Sequence, residues 1–164
     1  FFVMIVMGLN QGMQPIAGYN FGAKQYPRVT QVLKITIYAA TIVTTIGFLM
    51  GMFIPQLAVS IFTTHEELVN ISAKGLRIVV MFFPIVGFQM VTSNFFQSIG
   101  MAGKAIFLSL TRQMLILLPC LLVLPQFFGV AGVWYSMPVS DLLASLIALV
   151  MLVCQFRKFR TSPL

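Results

Sequence analysis

The sequence predicts an all-α, polytopic membrane protein with five transmembrane helices, and three observations carry that reading. Of its 164 residues, 59% are hydrophobic and only 8% are charged, whereas soluble domains carry roughly 25% charged residues. Too few polar side chains exist to cover the surface of a water-soluble core of this size. The apolar residues gather into five runs, each matching the ~20 residues that a helix needs to cross the hydrocarbon layer. Strands crossing a membrane would be ~10 residues long with strict alternation, and that pattern is missing. The whole of 1–164 reads as one helical bundle, with no linker and no second domain.

The first predicted span covers residues 1–21. Among its polar residues are the amides Asn10, Gln11 and Gln14. Hydrocarbon cannot solvate them, and an unpaired amide there costs several kcal/mol. Gly8 and Gly12 form a small-xxx-small pair that lets a neighbouring helix approach, and Gln11 and Pro15 share their face at helical spacing. This span therefore expects protein or a water-filled cavity beside it. The second span, 35–59, reads as a packing helix: Gly47 and Gly51 repeat the small-xxx-small pattern, and Pro55 is expected to kink its outer end. The third, 76–99, is more polar. Gln89, Ser93 and Gln97 recur every four residues on one face, flanked by Thr92 and Asn94, and Pro84 is expected to bend the helix. That face reads either as a cavity wall offering amide and hydroxyl contacts, or as interhelical glue worth ~0.6 kcal/mol per bond. The fourth span, 106–128, is expected to be irregular around Pro119 and Pro125, with Arg112 reaching back to the membrane interface. The fifth, 130–156, holds Asp141, the one acid placed inside a span. At 1.5 Å per residue from Gly129 it lies ~18 Å deep. Trp134, Met137, Pro138, Ala144, Ser145 and Ala148 share its face, while Leu142, Leu146, Leu149 and Val150 form a lipid-type stripe beside it.

The ten Lys and Arg residues set an orientation. With the connection at 22–30 in the cytoplasm, Lys24, Arg28, Lys34, Lys104, Arg112, Arg157, Lys158 and Arg160 fall at cytoplasmic ends, and only Lys74 and Arg77 fall outside, near Glu66 and Glu67. The bias predicts a cytoplasmic C-terminus. It also disposes of a nucleic-acid reading of the net charge of +7, because no helix face carries a basic stripe. Cys120 and Cys154 read as two buried thiols. His65 is the only histidine, which gives no zinc spacing. No nucleophile–base pair and no phosphate-loop spacing appears, so the chain is not read as an enzyme and implies no cofactor.

Several stretches resemble a known family. Gln14-Pro-Ile-Ala-Gly-Tyr-Asn-Phe-Gly-Ala-Lys24 followed by Arg28-Val29, then Phe95-Phe96-Gln97-Ser98-Ile99-Gly100, then Gly132-Val133-Trp134 with Pro138 and Asp141, are similar to the C-terminal half of MATE (multidrug and toxic-compound extrusion) transporters, in particular the MepA-like bacterial branch. The resemblance implies the last five helices of a twelve-helix protein. The first residue is Phe1 rather than Met, and the chain is expected to be a fragment whose N-terminal half is missing. It further implies a cation-coupled antiporter, driven by H⁺ or Na⁺, that exports amphiphilic or cationic drugs across the bacterial plasma membrane. Asn10, Gln11, Gln14, Gln89, Ser93, Asn94, Gln97 and Asp141 are then the candidates for a substrate or cation pathway, and Gly8, Gly12, Gly47 and Gly51 for helix packing. An acid buried in an apolar span can take and release a proton as a cavity opens and closes. Some branches of the family look to use carboxylates on other helices, so coupling by Asp141 and coupling from the missing half both stay open. A flippase of lipid-linked or polysaccharide precursors and a non-transporting membrane scaffold are the alternatives.

Overall fold

The computed structural model describes residues 1–61 and 65–161, leaving aside the side chains of Glu66, Arg160 and Thr161. Residues 62–64, just before the acids Glu66 and Glu67, lie outside these residues. Every described element is a helix. Helix α1 (Phe2–Gly22) runs to a short turn, and α2 (Tyr26–Phe53) returns beside it. Lys24, at φ 57°, makes that turn left-handed. The Gln25 N–H bonds to Asn20 O at 2.8 Å and the Lys24 N–H to Phe21 O at 3.0 Å, which closes α1 with a Schellman motif.

The apolar run of the second span starts well inside α2. Basic and amide side chains at 26–34 do not oppose a helix whose backbone bonds are already made, so the helix begins nine residues before the apolar run does. Helix α2 stops at Ile54, and the short α3 (Pro55–Ser60) follows with Pro55 in its first turn, where a missing N–H costs nothing.

Helices α4 (Glu66–Val80) and α5 (Phe83–Ser98) follow one another across a short break with a bend of 52°. Pro84 lies just inside α5 and cannot donate to the carbonyl of Val80, so the helix breaks immediately before it. Helix α5 ends like α1. Gly100 sits at φ +75°, with Met101 N–H bonded to Phe96 O at 2.9 Å and Gly100 N–H to Gln97 O at 3.1 Å.

Residues Ala102–Phe128 are continuous but not uniform. Helix α6 (Ala102–Leu110) widens into a π-helical segment, Thr111–Leu117, before α7 (Leu118–Phe128) resumes. The widening ends just ahead of Pro119, whose ring would collide with the Leu115 carbonyl in a regular α-helix. A single residue, Gly129 at φ +59°, joins α7 to α8 (Val130–Thr161). A Cβ at Gly132 would strike the backbone of Leu124 and Pro125; only glycine lets the two helices turn so tightly.

By length and composition, α2, the 102–128 span and α8 can each cross a membrane, and the bent α4–α5 pair makes a fourth when counted as one span. Helix α1 has the length, at 21 residues, but its amides keep it less apolar than these. The core lies between α1, α2, α5 and α8 and is built on Val6, Met13, Leu33, Phe95, Phe96 and Leu152. One end of the bundle is pinned by rings: Phe159 stacks on Tyr26 at 4.9 Å and meets Phe21 at 5.9 Å. The cysteines correct the sequence reading. Cys154 is exposed and Cys120 only half-buried, because both lie on outward faces of their helices.

Candidate functional site

Asn10, Gln11 and Gln14 of α1 go to three different places, because successive residues on a helix point about 100° apart. Asn10 lies on the core face with Val6, Met13 and Ala17. It is 2% exposed, and neither its Oδ1 nor its Nδ2 has a described partner. Gln14 is half-buried and donates through Nε2 to Asn94 Oδ1 at 3.3 Å. Asn94 in turn donates through Nδ2 to Met90 O at 2.9 Å, so a relay of two amides ties α1 to α5. Gln11 is exposed together with Gly8, Gly12 and Pro15. A Cβ added at Gly8 or Gly12 would meet nothing within 4 Å. The close packing expected at this glycine pair is therefore absent inside the chain, since the pair looks outward.

Gly47 and Gly51 are the reverse. A Cβ at Gly47 would come within 2.9 Å of the Phe2 and Phe83 rings, and one at Gly51 within 2.9 Å of Val80. Two further glycines lie against backbone or hydroxyl oxygens. A Cβ at Gly18 would stand 2.9 Å from the Ser98 carbonyl oxygen, and one at Gly87 would stand 2.7 Å from Thr44 Oγ1 and 3.0 Å from Ala40 O. Thr44 settles its own hydroxyl by donating to Ala40 O at 2.9 Å, as threonines in helices do.

On α5, Gln89, Ser93 and Asn94 border a cavity of about 160 Å³, completed by Met90, Ser109, Arg112 and Gln113. Ser93 donates to Ala105 O at 3.3 Å and shares a hydrogen bond with Ser109 at 3.2 Å. Gln97, grouped with Gln89 and Ser93 by spacing, is exposed instead, and does not border the cavity. Thr92 is fully buried and bonds back to Phe88 O. The walls are amide and hydroxyl, and the volume admits several waters.

Arg112 and Asp141 form an ion pair between the π-helical segment and α8. Arg112 donates from Nε at 2.9 Å and from Nη2 at 2.8 Å, both to Asp141 Oδ1. The Asp141 side chain keeps 10% of its surface exposed and that of Arg112 keeps 30%. This corrects the expectation that Arg112 reaches back to the interface. A guanidinium cannot shed its proton, and two charges placed in a low-dielectric layer lower each other's cost by meeting. The clue was available: within the predicted spans there was one acid and one deeply placed base. Arg112 also sits in the π-helical segment, where the wider turn displaces the side chain from α-helical spacing, and no sequence pattern announces that. The Asp141 face is otherwise small and polar. Ala144, Ser145 and Ala148 are buried there, with Ser136 and Ser140 buried on other sides of the helix, while Met137 is exposed. Leu146, Leu149 and Val150 are exposed as a stripe.

A second polar link lies near the ring cluster. Lys104 Nζ donates to Gln155 Oε1 at 2.6 Å and lies 5.2 Å over the Phe96 ring. Neither Ser109, Gln113 nor the Lys104–Gln155 bond was singled out from the sequence.

Residues 1–123 match the family model MatE. The chain is 25% identical over 146 residues to the multidrug export protein MepA of Staphylococcus aureus (strain MSSA476), covering 89% of this chain and 32% of that protein. It is 22% identical over the same length to the MepA of Staphylococcus haemolyticus (strain JCSC1435). The chain thus spans about a third of the length of the curated relatives it matches. Its fold superposes on the MATE multidrug transporter DinF-BH with a TM-score of 0.90 at 34% identity, over 99% of this chain and 36% of that one. An inward-facing MATE family transporter of the MOP superfamily gives a TM-score of 0.90 at 17% identity, over 99% of this chain and 38% of that one, a likeness in fold alone. A family model that takes in most of the chain, joined to a shared all-helical membrane fold, leads to one conclusion: this chain belongs to the MatE family.

Proposed function

We propose that residues 1–164 are the C-terminal helices of a cation-coupled multidrug antiporter, driven by H⁺ or Na⁺. It would export amphiphilic or cationic compounds across a bacterial plasma membrane, with its C-terminus in the cytoplasm. The observation that carries this reading is the outward face of α1. Gly8, Gln11, Gly12 and Pro15 lie open on one side of a helix otherwise packed into the core, with Met4, Met7 and Tyr19 exposed around them. Amides and small residues suit a wet cavity, and methionines adapt to varied apolar shapes. Such a face needs a second bundle opposite it, which is the role assigned to an N-terminal half. The bent α4–α5 pair and the π-helical segment suit a bundle that changes shape.

The chain's own acids bear on coupling. Glu66 and Glu67 open α4, and Asp141 is engaged by Arg112. Asp141 is therefore read as the partner that holds Arg112 in place, and the coupling carboxylate as one lying outside residues 1–164.

The test is energised efflux of a fluorescent amphiphilic cation from cells expressing the full-length protein. Accumulation should fall, and it should recover when the proton and sodium gradients are collapsed. Residues 1–164 expressed alone should not move the dye. Efflux from neither, together with restored turnover of a lipid-linked precursor, would favour the flippase; activity in neither assay would favour the scaffold. Sidedness has its own check. In a cysteine-free background, Gln25→Cys should react with a membrane-impermeant maleimide only from the cytoplasm, and Glu67→Cys only from outside. Reaction from the same side would overturn the topology.

A further inference from the structure

Lys24, Arg28 and Lys34 are a group of cations with no acidic residue nearby. Residues 1–61 contain no acidic side chain. Asp141 is bonded to Arg112, and Glu66 and Glu67 open α4, beyond the far end of α2. None of the three cations makes an ion pair or side-chain hydrogen bond with another described residue.

The length of α2 fixes where this group lies. Its 28 residues reach ~42 Å at 1.5 Å each, ~12 Å more than the hydrocarbon layer. Counting ~20 residues back from Phe53 brings the boundary to Lys34. Everything from Tyr26 to Lys34 then stands among headgroups. At that boundary the outer face of α2 offers an open surface strip formed by Pro27, Thr30, Gln31, Lys34, Ile35 and Tyr38. Arg28 flanks the strip on one side, about 60° round the helix from Gln31, and Lys34 lies about 60° to the other side, so the two cations bracket it. Toward the other end the stripe turns wholly apolar and stays exposed through Ile42, Ile46, Leu49 and Phe53. From Tyr38 to Phe53 it runs ~22 Å, more than the ~15 Å depth of one leaflet.

We propose that this face of α2 is a binding site for an anionic phospholipid. The phosphate sits against Lys34 and Arg28, the tyrosine hydroxyl and the Gln31 amide meet the polar backbone of the lipid, and an acyl chain lies along Ile35, Ile42 and Ile46. A free phosphate would use the two cations and nothing of the stripe. A zwitterionic lipid would use the stripe but leave the charge uncompensated. The site needs only that the chain is membrane-embedded and is independent of what the protein transports.

The experiment is native mass spectrometry of the full-length protein released from neutral detergent, with phosphatidylglycerol or phosphatidylcholine of the same chain length. Phosphatidylglycerol should be retained in preference. Arg28→Gln and Lys34→Gln should each weaken its retention about five-fold, the worth of one cation near an anionic surface, and Lys34→Arg should keep it. Equal retention of the two lipids by the wild type overturns the proposal without any variant, so a misfolded Lys34→Gln does not spare it. Unchanged retention in a folded Arg28→Gln/Lys34→Gln protein overturns it too. So does displacement of the lipid by millimolar inorganic phosphate, which would reveal a free-anion site. A dimer that persists without lipid and is broken by Ile42→Gln would show a second copy on this face, also against the proposal.

Discussion

Between α1, α2 and α5 the helices touch through glycine and hydroxyl. Gly18 lies against the Ser98 carbonyl, Gly47 under two phenylalanine rings, and Gly87 against Thr44 and Ala40. The largest fully buried side chains, Phe95, Phe96, Met13 and Leu33, are all here. Helix α7 buries no residue at all, and the hairpin it makes with α8 is shaped by Pro119, a π-helical segment, one glycine turn and the Arg112–Asp141 pair. Lipid tails are as apolar as leucine, so nothing drives apolar helices together as water would. The first region answers with close backbone approach, and the second with a charge pair. The difference matters for change: packed glycine contacts tolerate little motion, whereas an ion pair with a polar cavity beside it is an interaction that can be remade.

Breaking the pair should have the largest effect. Arg112→Leu leaves Asp141 buried and alone, which for buried pairs costs about 3–5 kcal/mol; since Arg112 is partly exposed, about 3 kcal/mol is expected. The double variant Arg112→Leu/Asp141→Leu should recover most of the loss of detergent melting temperature. It should also keep the pH dependence of efflux, because Asp141 is read as a positioning residue. Recovery of stability with loss of that pH dependence would transfer the coupling role to Asp141.

The glycine contrast comes next. Gly87→Val has no room and should destabilise the full-length protein by about 1–3 kcal/mol. A Cβ at Gly12 meets nothing within 4 Å among the described residues, so a loss from Gly12→Val beyond that from an exposed helical control such as Leu146→Val reports a neighbour from outside them. If efflux falls with an unchanged melting temperature, the open α1 face is a working surface; if neither moves, that face looks onto lipid. The smallest effect should be Gln14→Leu. One interhelical amide bond is worth ~0.6 kcal/mol, and a loss well above about 2 kcal/mol would mean that Gln14 does more than tie α1 to α5.

The same contrast explains what could be read in the sequence. Helical class and membrane embedding follow from the apolar runs alone. The bends at Pro55 and Pro84 were legible because proline's missing N–H acts locally. The face of Gln89 and Ser93 was legible from spacing, yet Gln97 was misplaced beside them, since eight residues carry it about 80° round the helix from Gln89, onto the exposed side, while Phe95 and Phe96 in the same turn stay buried. Glycine patterns did not separate Gly12 from Gly47, because a glycine's environment belongs to the helix opposite. Asn10, Gln11 and Gln14 were read together as amides that need protein or water beside them, and they serve a core, an open face and a tie. Arg112 was missed as a partner because the π-helical turn shifts it out of the spacing by which faces are counted.

The one-residue join at Gly129 has a consequence for biosynthesis. With a one-residue join between them, the 102–128 span and α8 are expected to enter the bilayer together, as a helical hairpin. Arg112 and Asp141 lie one on each arm. Inserted singly, each arm would carry an isolated charge, at a cost of about 2.5–3.5 kcal/mol; entering folded on one another, the arms carry none. The pair is thus available as soon as the chain past Asp141 leaves the ribosome, before any distant helix has docked. A nascent chain halted between Gly129 and Asp141 would present the translocon with a lone guanidinium, and its integration should lag until the acid emerges.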